Sequence, residues 1–203
     1  MGDGRIRDLD ALEALYGKVS EAAMRKVARR MTPLYRRWIM ASRFCVLSTV
    51  GLEGTDASPR GDDGPVVTEL DPGTLLMPDW RGNNRLDSLR NIVSDGRVSL
   101  MFVVPGSNNV VRVNGHAWLS ADPDLRREFD RDGALPATVI VIEIGEIYTQ
   151  CARSLIRSGL WRGEGGDADL PSVGDILSEM TDGAFDGAAY DAQWPSRAAK
   201  TMW

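Results

Sequence analysis

Short apolar runs that alternate with polar residues dominate the middle of the chain, and turn-forming residues separate them. Alternation with a period of two is typical of β-strands that bury one face. Because no long helix separates most of these runs, an antiparallel barrel is favoured over a βαβ fold. Apolar alternation continues through Asn114-Gly115, which we interpret as a bulge inside a long strand. The pattern predicts six strands, at 44–50, 66–70, 74–77, 98–104, 110–119 and 138–148.

Helical periodicity flanks this β region on both sides. Residues 8–30 are predicted to be helical with a break near Gly17, and a second helix begins at Thr32 and Pro33, as N-cap and N1, and runs to about 42. We expect this segment to pack on the barrel as a helix pair rather than to lie on a membrane surface, because acids accompany its arginines. Its apolar stripe consists of Leu9, Leu12, Leu15, Tyr16, Val19 and Ala23, followed by Leu34, Trp38 and Ile39.

Further helices are predicted between the last two strands and after the final strand. A short one runs from Asp122 to about Asp130, and another at 151–161 should place Leu155, Ile156, Gly159 and Leu160 against the body of the protein. Residues 163–169 have the composition of a linker, 171–180 form a short amphipathic helix, and the remaining tail is interpreted as a wrapped extension.

Composition bounds the function classes. A chain of 203 residues with 43% hydrophobic content can bury one sizeable core, so we expect one domain: N-terminal helices at 1–42, the barrel at 43–150 and a helical extension at 151–203. The net charge of −5 argues against nucleic-acid and anionic-membrane partners, which favour a basic face. No apolar run is long enough to span a bilayer or to serve as a signal peptide, so a cytoplasmic protein is expected.

The chain offers little chemistry of its own. Cys45 and Cys151 form no CxxC pattern, His116 is the single histidine, and no hydrolase or nucleotide-binding motif occurs. Cys151 is a candidate reactive thiol because Arg153 is near, but an inert packing role is favoured. A cofactor that carries the difficult chemistry is therefore the better explanation.

The segment 74–93 predicts an anion site. A strand leads into a polar loop and then into an amphipathic run whose Leu86, Leu89 and Val93 share a face. Asn84 is a good N-cap, with Asp87 at N3, and Arg85 adds a charge at the start of the helix, where backbone N–H groups and the helix dipole favour a phosphate. An ordinary capped helix with solvated arginines explains the same stretch at least as well.

The order of three motifs then indicates a family. SPRGD at 58–62, TLLMPDWRGNNRLDSL at 74–89 and VSLMFVVPGSNNVVRVNGHA at 98–117 resemble the pyridoxamine 5′-phosphate oxidase-like proteins, the FMN-binding split-barrel family. The likeness covers about 44–161 and is strongest to a bacterial branch of FMN-dependent enzymes whose substrates are mostly unassigned. It implies a six-stranded antiparallel split β-barrel with flanking helices, which forms a homodimer and holds FMN at the dimer interface.

The resemblance also implies site residues. The family's phosphate-binding pair, often Arg-Lys or Ser-Lys, is not present as such; its counterparts are either Asn83-Asn84 with Arg85, or Asp87-Ser88, and the carboxylate of Asp87 makes the first set, with Ser88, preferable. Arg153 and Arg157, four residues apart, are a further candidate anion grip, with a solvated pair as the alternative. The implied cofactor-binding residues are Ser58, Arg60, Met77, Pro78, Asn83, Asn84, Arg85, Ser88 and Arg157.

Two classes of function are compatible with the family resemblance. The first is an FMN-dependent oxidoreductase that acts on an unidentified small molecule; the Trp and Arg signature of true pyridoxamine phosphate oxidases is not found in this C-terminus. The alternative is a non-catalytic flavin- or haem-binding carrier or redox sensor, because fold does not fix function.

Overall fold

A computed structural model describes residues 3–151, 153–163 and 169–201. Most of the predicted linker at 163–169 lies outside the described residues. The β region contains seven strands: β1 (Phe44–Gly51), β2 (Gly54–Gly61), β3 (Thr68–Asp71), β4 (Thr74–Asp79), β5 (Arg97–Val103), β6 (Val110–Ser120) and β7 (Thr138–Gln150).

All seven strands form one antiparallel sheet in the order β2-β1-β5-β6-β7-β4-β3. The prediction of six strands in a barrel was therefore wrong in two respects. The extra strand is β2, and in the described part of the chain its edge does not pair with β3 at the other edge, so the sheet is not closed. Sequence patterning missed β2 because it is a polar edge strand with Pro59 inside it, a residue tolerated where no ladder hydrogen bond is needed.

The two longest strands carry the predicted bulge. The register of β6 against β7 shifts between Asn114 and Gly115. A Cβ atom on Gly115 would lie 2.0 Å from the carbonyl oxygen of Glu143, so the close approach of the two backbones requires glycine there. A bulge at this point of the ladder is confirmed, but its extra residue is Gly145 of β7, because Asn114 pairs with Glu146 and Gly115 with Ile144.

The core lies on the inward face of the sheet. Alternate residues of the central strands are fully buried there, and α3 (Pro33–Ile39) adds Ile39 from the N-terminal side. Residue Tyr35 ties this helix to the sheet, because its hydroxyl donates to the carbonyl of Lys26 (2.5 Å) and accepts from the backbone N–H of Thr149 (3.3 Å). The largest buried side chains of the sheet are Leu47, Leu75, Met77, Leu100, Phe102, Ile140, Ile142 and Ile147.

The first two helices do not pack as predicted. The break near Gly17 is confirmed, since α1 (Leu9–Tyr16) ends there with Gly17 at a φ of 73° and α2 (Glu21–Arg25) follows. Neither helix buries a residue, so the expectation that the N-terminal helices pack on the barrel was wrong for the first predicted helix, at 8–30. It is confirmed for the second, α3, which begins with Thr32 as N-cap and Pro33 at N1 and buries Ile39. Leu9, Leu15, Tyr16 and Val19 of the apolar stripe face solvent in the single chain, as does Leu34 of α3.

The remaining helices are α4 (Asp87–Ser94), α5 (Pro123–Arg127), α6 (Arg153–Ser158), α7 (Val173–Met180) and α8 (Gly187–Thr201). Ile156 and Leu160, predicted to lie against the body, are about half exposed (48% and 54%), so that prediction was wrong for both. The helix at 171–180 is confirmed as α7, which begins with a capping box of Ser172 and Asp175.

The tail contains a helix, in agreement with the helical extension expected at 151–203. Helix α8 contains Pro195, a residue that is unfavourable inside a helix. Its first residue, Gly187, meets Gly174 of α7 backbone to backbone, and a Cβ on either glycine would lie within 2.2 Å of the other's carbonyl oxygen. Among the helices described, none combines the length and the apolar character needed to cross a membrane.

Candidate functional site

A cleft of about 1080 Å³ opens at one end of the sheet. Three segments of the chain line it: strand β2 with the residues that follow it, the stretch from the end of β4 to the first turn of α4, and the region around the start of β7. This volume is at the upper end of the range of small-molecule and cofactor pockets.

Strand β2 supplies one wall through its alternation. Asp56, Ser58 and Arg60 are half-buried and line the cleft, while the intervening Ala57 and Pro59 are exposed. Side chains two residues apart on a strand share a face, so the three polar groups point the same way. This two-residue period was visible in the sequence, but without apolar residues it carried no signal for a strand.

Arg60 is held by an ion pair on the cleft wall. Its Nη1 donates to a carboxylate oxygen of Asp79 at the end of β4, and the two side chains are only 19% and 15% exposed. The Nε atom of Arg60 is buried and has no hydrogen-bond partner among the described residues. The same is true of the Oγ1 atom of Thr138. Residue Thr138 is the partner of Asp79 in the register of β4 and β7. A buried polar atom without a partner costs about 1–3 kcal/mol, so this wall has hydrogen-bonding capacity that the protein leaves unused.

The first turn of α4 differs from the prediction. The helix begins at Asp87, which is therefore N1 rather than N3, and its N-cap is Leu86 without a side-chain cap. Asn84 is not the N-cap: it lies in the preceding loop with a φ of 59°, a left-handed conformation that asparagine tolerates. The loop is organised instead by Asn83, whose Oδ1 accepts from the backbone N–H of Arg85 (3.0 Å).

The buried face of α4 also differs. Leu86 and Val93 are exposed, whereas Ser88 and Ile92 are buried. The Ser88 hydroxyl donates to a carboxylate oxygen of Asp56, which ties the helix to β2. Helix α4 is therefore fixed to the sheet by this polar bond as well as by apolar packing.

Arg85 extends from this turn into solvent. Its side chain is 79% exposed, and its Nε donates to Asp87 Oδ2 at 2.6 Å. The hydrogen bond that Arg85 donates to Asp87 raises the pKa of Arg85 above its usual value, so the guanidinium stays charged. An exposed arginine that is bonded only to its neighbour can turn toward an anion in the cleft with little loss.

A second cluster lies next to the Arg60–Asp79 pair, since Asp62 follows Arg60 by two residues and Trp80 follows Asp79 directly. Three chain segments meet there. The indole N–H of Trp80 donates to Asp62 Oδ2 (3.2 Å), and a guanidinium nitrogen of Arg131 donates to Oδ1 of the same carboxylate. The Arg131 guanidinium also lies over the Trp80 ring, 5.1 Å from its centroid, and Nη1 of Arg131 reaches Asp63 at 2.9 Å. The carboxylate of Asp62 is almost fully buried, at 5% exposure, so these bonds are shielded from water.

The cleft is balanced in charge. Four arginines and four aspartates line it: Arg60, Arg81, Arg85, Arg126, Asp56, Asp62, Asp79 and Asp87. Because several of these acids are already bonded to arginine or serine, the lining is not a strongly basic anion trap. A ligand with one localised anionic group and a larger neutral part fits this balance better than a polyanion.

The structure brings together eight of the nine residues predicted for the site. Arg157 is exposed on α6 and does not line the cleft. Met77 borders the cleft but is only 1% exposed, so it serves the core as well. The eight that line the cleft are Ser58, Arg60, Met77, Pro78, Asn83, Asn84, Arg85 and Ser88.

Sequence reasoning missed the acids that partner these residues and the cluster of Asp62, Trp80 and Arg131. Asp79 and Trp80 stand inside the motif at 74–89 and could have been chosen as cleft residues, but no local pattern indicates that Asp62 or Arg131 joins them. Thr138 is the first residue of a correctly predicted strand, and only the sheet register places it beside Asp79.

Neither cysteine lines the cleft, although Cys45 pairs with Arg60 in the register of β1 and β2. Cys45 is buried on β1, and burial raises the pKa of its thiol from 9.0 to about 12, with a smaller opposing effect of Arg60. Cys151 is exposed. Within the described ranges no group of three or more histidine, cysteine or acidic residues could hold a metal ion.

The fold and the cleft define a class: an antiparallel β protein with flanking helices, in which a polar strand and a helix N-terminus enclose a pocket of cofactor size. The family comparison agrees with this class. The family model described as pyridoxamine 5′-phosphate oxidase matches residues 31–151, more than half of the chain, and the protein belongs to this family.

Comparisons with individual proteins are more distant. No curated protein matches the chain. Among solved structures, HupZ from Group A Streptococcus is 17% identical, with 60% of this chain and 94% of that chain covered and a TM-score of 0.49. A candidate pyridoxamine 5′-phosphate oxidase from Lactobacillus delbrueckii is 20% identical (60% and 95% covered, TM-score 0.45), and an F420 reductase is 16% identical (59% and 98% covered, TM-score 0.41).

Proposed function

We propose that this protein binds FMN in the cleft and is an FMN-dependent oxidoreductase that acts on a small molecule. The observation that carries the proposal is the wall formed by Arg60 and Thr138, where polar atoms lack a partner inside a cleft of cofactor size. Membership of the pyridoxamine 5′-phosphate oxidase family supports the same conclusion.

The residues present fit FMN on chemical grounds. The N-terminal turn of α4 offers backbone N–H groups and a positive dipole end to a phosphate, with Arg85, Asn83 and Asn84 beside it. Ser58, Arg60 and Thr138 offer hydrogen bonds to the neutral part of the molecule. The chemistry that FMN supplies when bound is reversible two-electron transfer, and the protein's share is binding, orientation and exclusion of water.

We also propose that the protein is a homodimer. The single chain leaves large apolar side chains in solvent on the outer face of the sheet, including Phe44, Met101 and Trp118, which are 39–47% exposed. The apolar stripe of α1 is exposed as well. Apolar surface of this kind is typical of protein contacts, and a second copy of the chain is the partner that the family resemblance implies.

The absorption spectrum of the purified protein tests cofactor binding. We expect a yellow protein whose cofactor, released by denaturation, has the mass of FMN rather than that of FAD or riboflavin. Colourless protein should become yellow when FMN is added and excess is removed by desalting. A colourless protein that FMN does not reconstitute contradicts the proposal, and a haem spectrum would favour the alternative of a haem carrier.

Turnover separates an enzyme from a flavin carrier. The FMN-loaded protein is mixed with NADH or NADPH and a panel of small acceptors, and consumption of the reduced nucleotide is followed. We expect steady consumption with at least one acceptor. Stoichiometric reduction of the flavin that never turns over would instead favour a carrier or redox sensor.

A further inference from the structure

Trp80 is the large aromatic side chain of the cleft lining, and it is fixed more firmly than its position in a loop suggests. It follows β4 directly and is half-buried. Its indole N–H is bonded to Asp62, and the Arg131 guanidinium lies over its ring. An indole that is hydrogen-bonded at one end and stacked on a cation cannot rotate without breaking both contacts.

The carboxylate of Asp62 accepts hydrogen bonds from both Trp80 and Arg131. It follows β2, whereas Arg131 comes from the loop between α5 and β7, so one buried acceptor joins the ends of three segments that are distant in sequence. The single charge of Arg131 is shared between Asp62 and Asp63 beside the ring, so this group carries one net negative charge. The wall at Trp80 is therefore aromatic and unfavourable for a phosphate, in contrast to the turn of α4, where the helix N-terminus and Arg85 lie.

We propose that Trp80 is the surface against which the planar ring system of the ligand lies, and that Asp62 and Arg131 are positioning residues that set the plane of the indole. This inference rests on the proposed function, since it names the flavin ring as the planar group. It orients the ligand in the cleft, with the ring toward Trp80 and the phosphate toward Arg85.

The fluorescence intensity of the bound flavin is a measurement that does not depend on turnover. An indole in contact with a flavin transfers an electron to the photoexcited ring and receives it back in the dark, so the bound flavin is weakly fluorescent. In Trp80→Leu we expect the fluorescence of bound FMN to rise severalfold. Because the ring is common to both ligands, the Kd values of FMN and of riboflavin should increase by a similar factor, about three- to tenfold.

A second variant at Trp80 separates the loss of the aromatic ring from misfolding, and a tryptophan outside the cleft serves as a matched control. Trp80→Phe keeps an aromatic ring of similar packing but is a poor electron donor, so it should restore most of the affinity while fluorescence stays high. Trp194 on α8 also has an arginine over its ring, with the Arg197 guanidinium 5.4 Å from its centroid, but it does not line the cleft. Trp194→Leu should change neither the fluorescence nor the Kd values.

The positioning role is tested separately. In Arg131→Gln the indole loses its stacked cation, and we expect bound-flavin fluorescence to rise partway toward that of Trp80→Leu, with less than a threefold change in Kd. A purely structural role would lower the melting temperature of the apo-protein and leave the fluorescence of the bound flavin unchanged.

The outcomes separate the two proposals. If the wild-type protein binds FMN but both Trp80 variants leave fluorescence and affinity unchanged, the inference about Trp80 is overturned and the proposed function stands. If the wild-type protein binds neither FMN nor riboflavin, the proposed function fails and the assignment of Trp80 fails with it. Should Trp80→Leu not fold, the fluorescence of Trp80→Phe decides the question.

Discussion

Replacing Arg85 by alanine tests where a phosphate binds in the cleft. A charge-assisted hydrogen bond to a phosphate that is shielded from water is worth roughly ten- to a hundredfold in Kd. The Arg85 side chain is 79% exposed and already donates to Asp87, so solvent and this competing carboxylate reduce its effect. We therefore expect Arg85→Ala to weaken FMN binding about five- to tenfold.

Riboflavin, which lacks the phosphate, is the ligand control. Its Kd should change less than twofold in Arg85→Ala, measured by quenching of flavin fluorescence or by calorimetry. Arg90→Ala is the matched protein control, because Arg90 is an exposed arginine of α4, close to Arg85 in sequence, that does not line the cleft. Raised salt should reduce the difference between FMN and riboflavin in the wild-type protein, because an exposed ionic contact is screened.

Arg60→Ala should behave differently. The charge of Arg60 is taken up by Asp79, and removing it leaves a carboxylate that is 15% exposed without its partner. We expect a loss of about 1–3 kcal/mol in the free energy of unfolding and weaker binding of FMN and riboflavin alike. The reasoning is refuted if Arg85→Ala weakens both flavins equally at an unchanged melting temperature, which would make Arg81 and Arg126, the other two arginines of the cleft lining, the next candidates for the phosphate.

Three other predictions concern the thiols, the tail and the assembly. At pH 8 a disulfide reagent should label the exposed Cys151 quickly and the buried Cys45 only after unfolding. The pKa of Cys45 is about 12 in the folded protein and about 9 when it is unfolded, so the free energy of unfolding should fall as the pH rises above about 9. Gly174→Ala should weaken the packing of α7 against α8 by about 1–3 kcal/mol, because the added Cβ would collide with the Gly187 carbonyl, and the tail should then be proteolysed faster. Gly64→Ala is the control, because a Cβ there meets open space and should not change the rate of proteolysis. Light scattering at micromolar concentration should give twice the chain mass of 22.2 kDa, and a monomer that holds FMN tightly would contradict the dimer.

Local patterns were sufficient for most of the sheet. Six of the seven strands were predicted with shifts of one or two residues at most of their ends, because a strand with one buried face has an alternation that needs no knowledge of its neighbours. The bulge beside Asn114-Gly115 and the helix α7 were predicted for the same reason: both have local signals, a glycine within a continued alternation and an amphipathic period. That the extra residue is Gly145 of the facing strand follows only from the register.

Patterns that depend on a partner were misjudged. Strand β2 exists through its hydrogen bonds to β1, and its polar side chains gave no hydrophobic signal. The stripe on α1 was identified correctly as apolar, but a stripe does not specify what covers it, and in the single chain nothing described does. The N-cap of α4 moved from Asn84 to Leu86 because the path of the preceding loop, not the capping preference of one residue, decided where the helix begins.

The candidate site divides in the same way. The sequence and its family resemblance determined which residues of the motifs at 58–62 and 74–89 line a cleft, because these lie close together along the chain. Only the tertiary structure decided that Asp79 pairs with Arg60 and that Asp62 and Arg131 hold Trp80. Such pairs form between the ends of strands that are remote in sequence, and their contacts arise from the register and order of the sheet, which no local periodicity encodes.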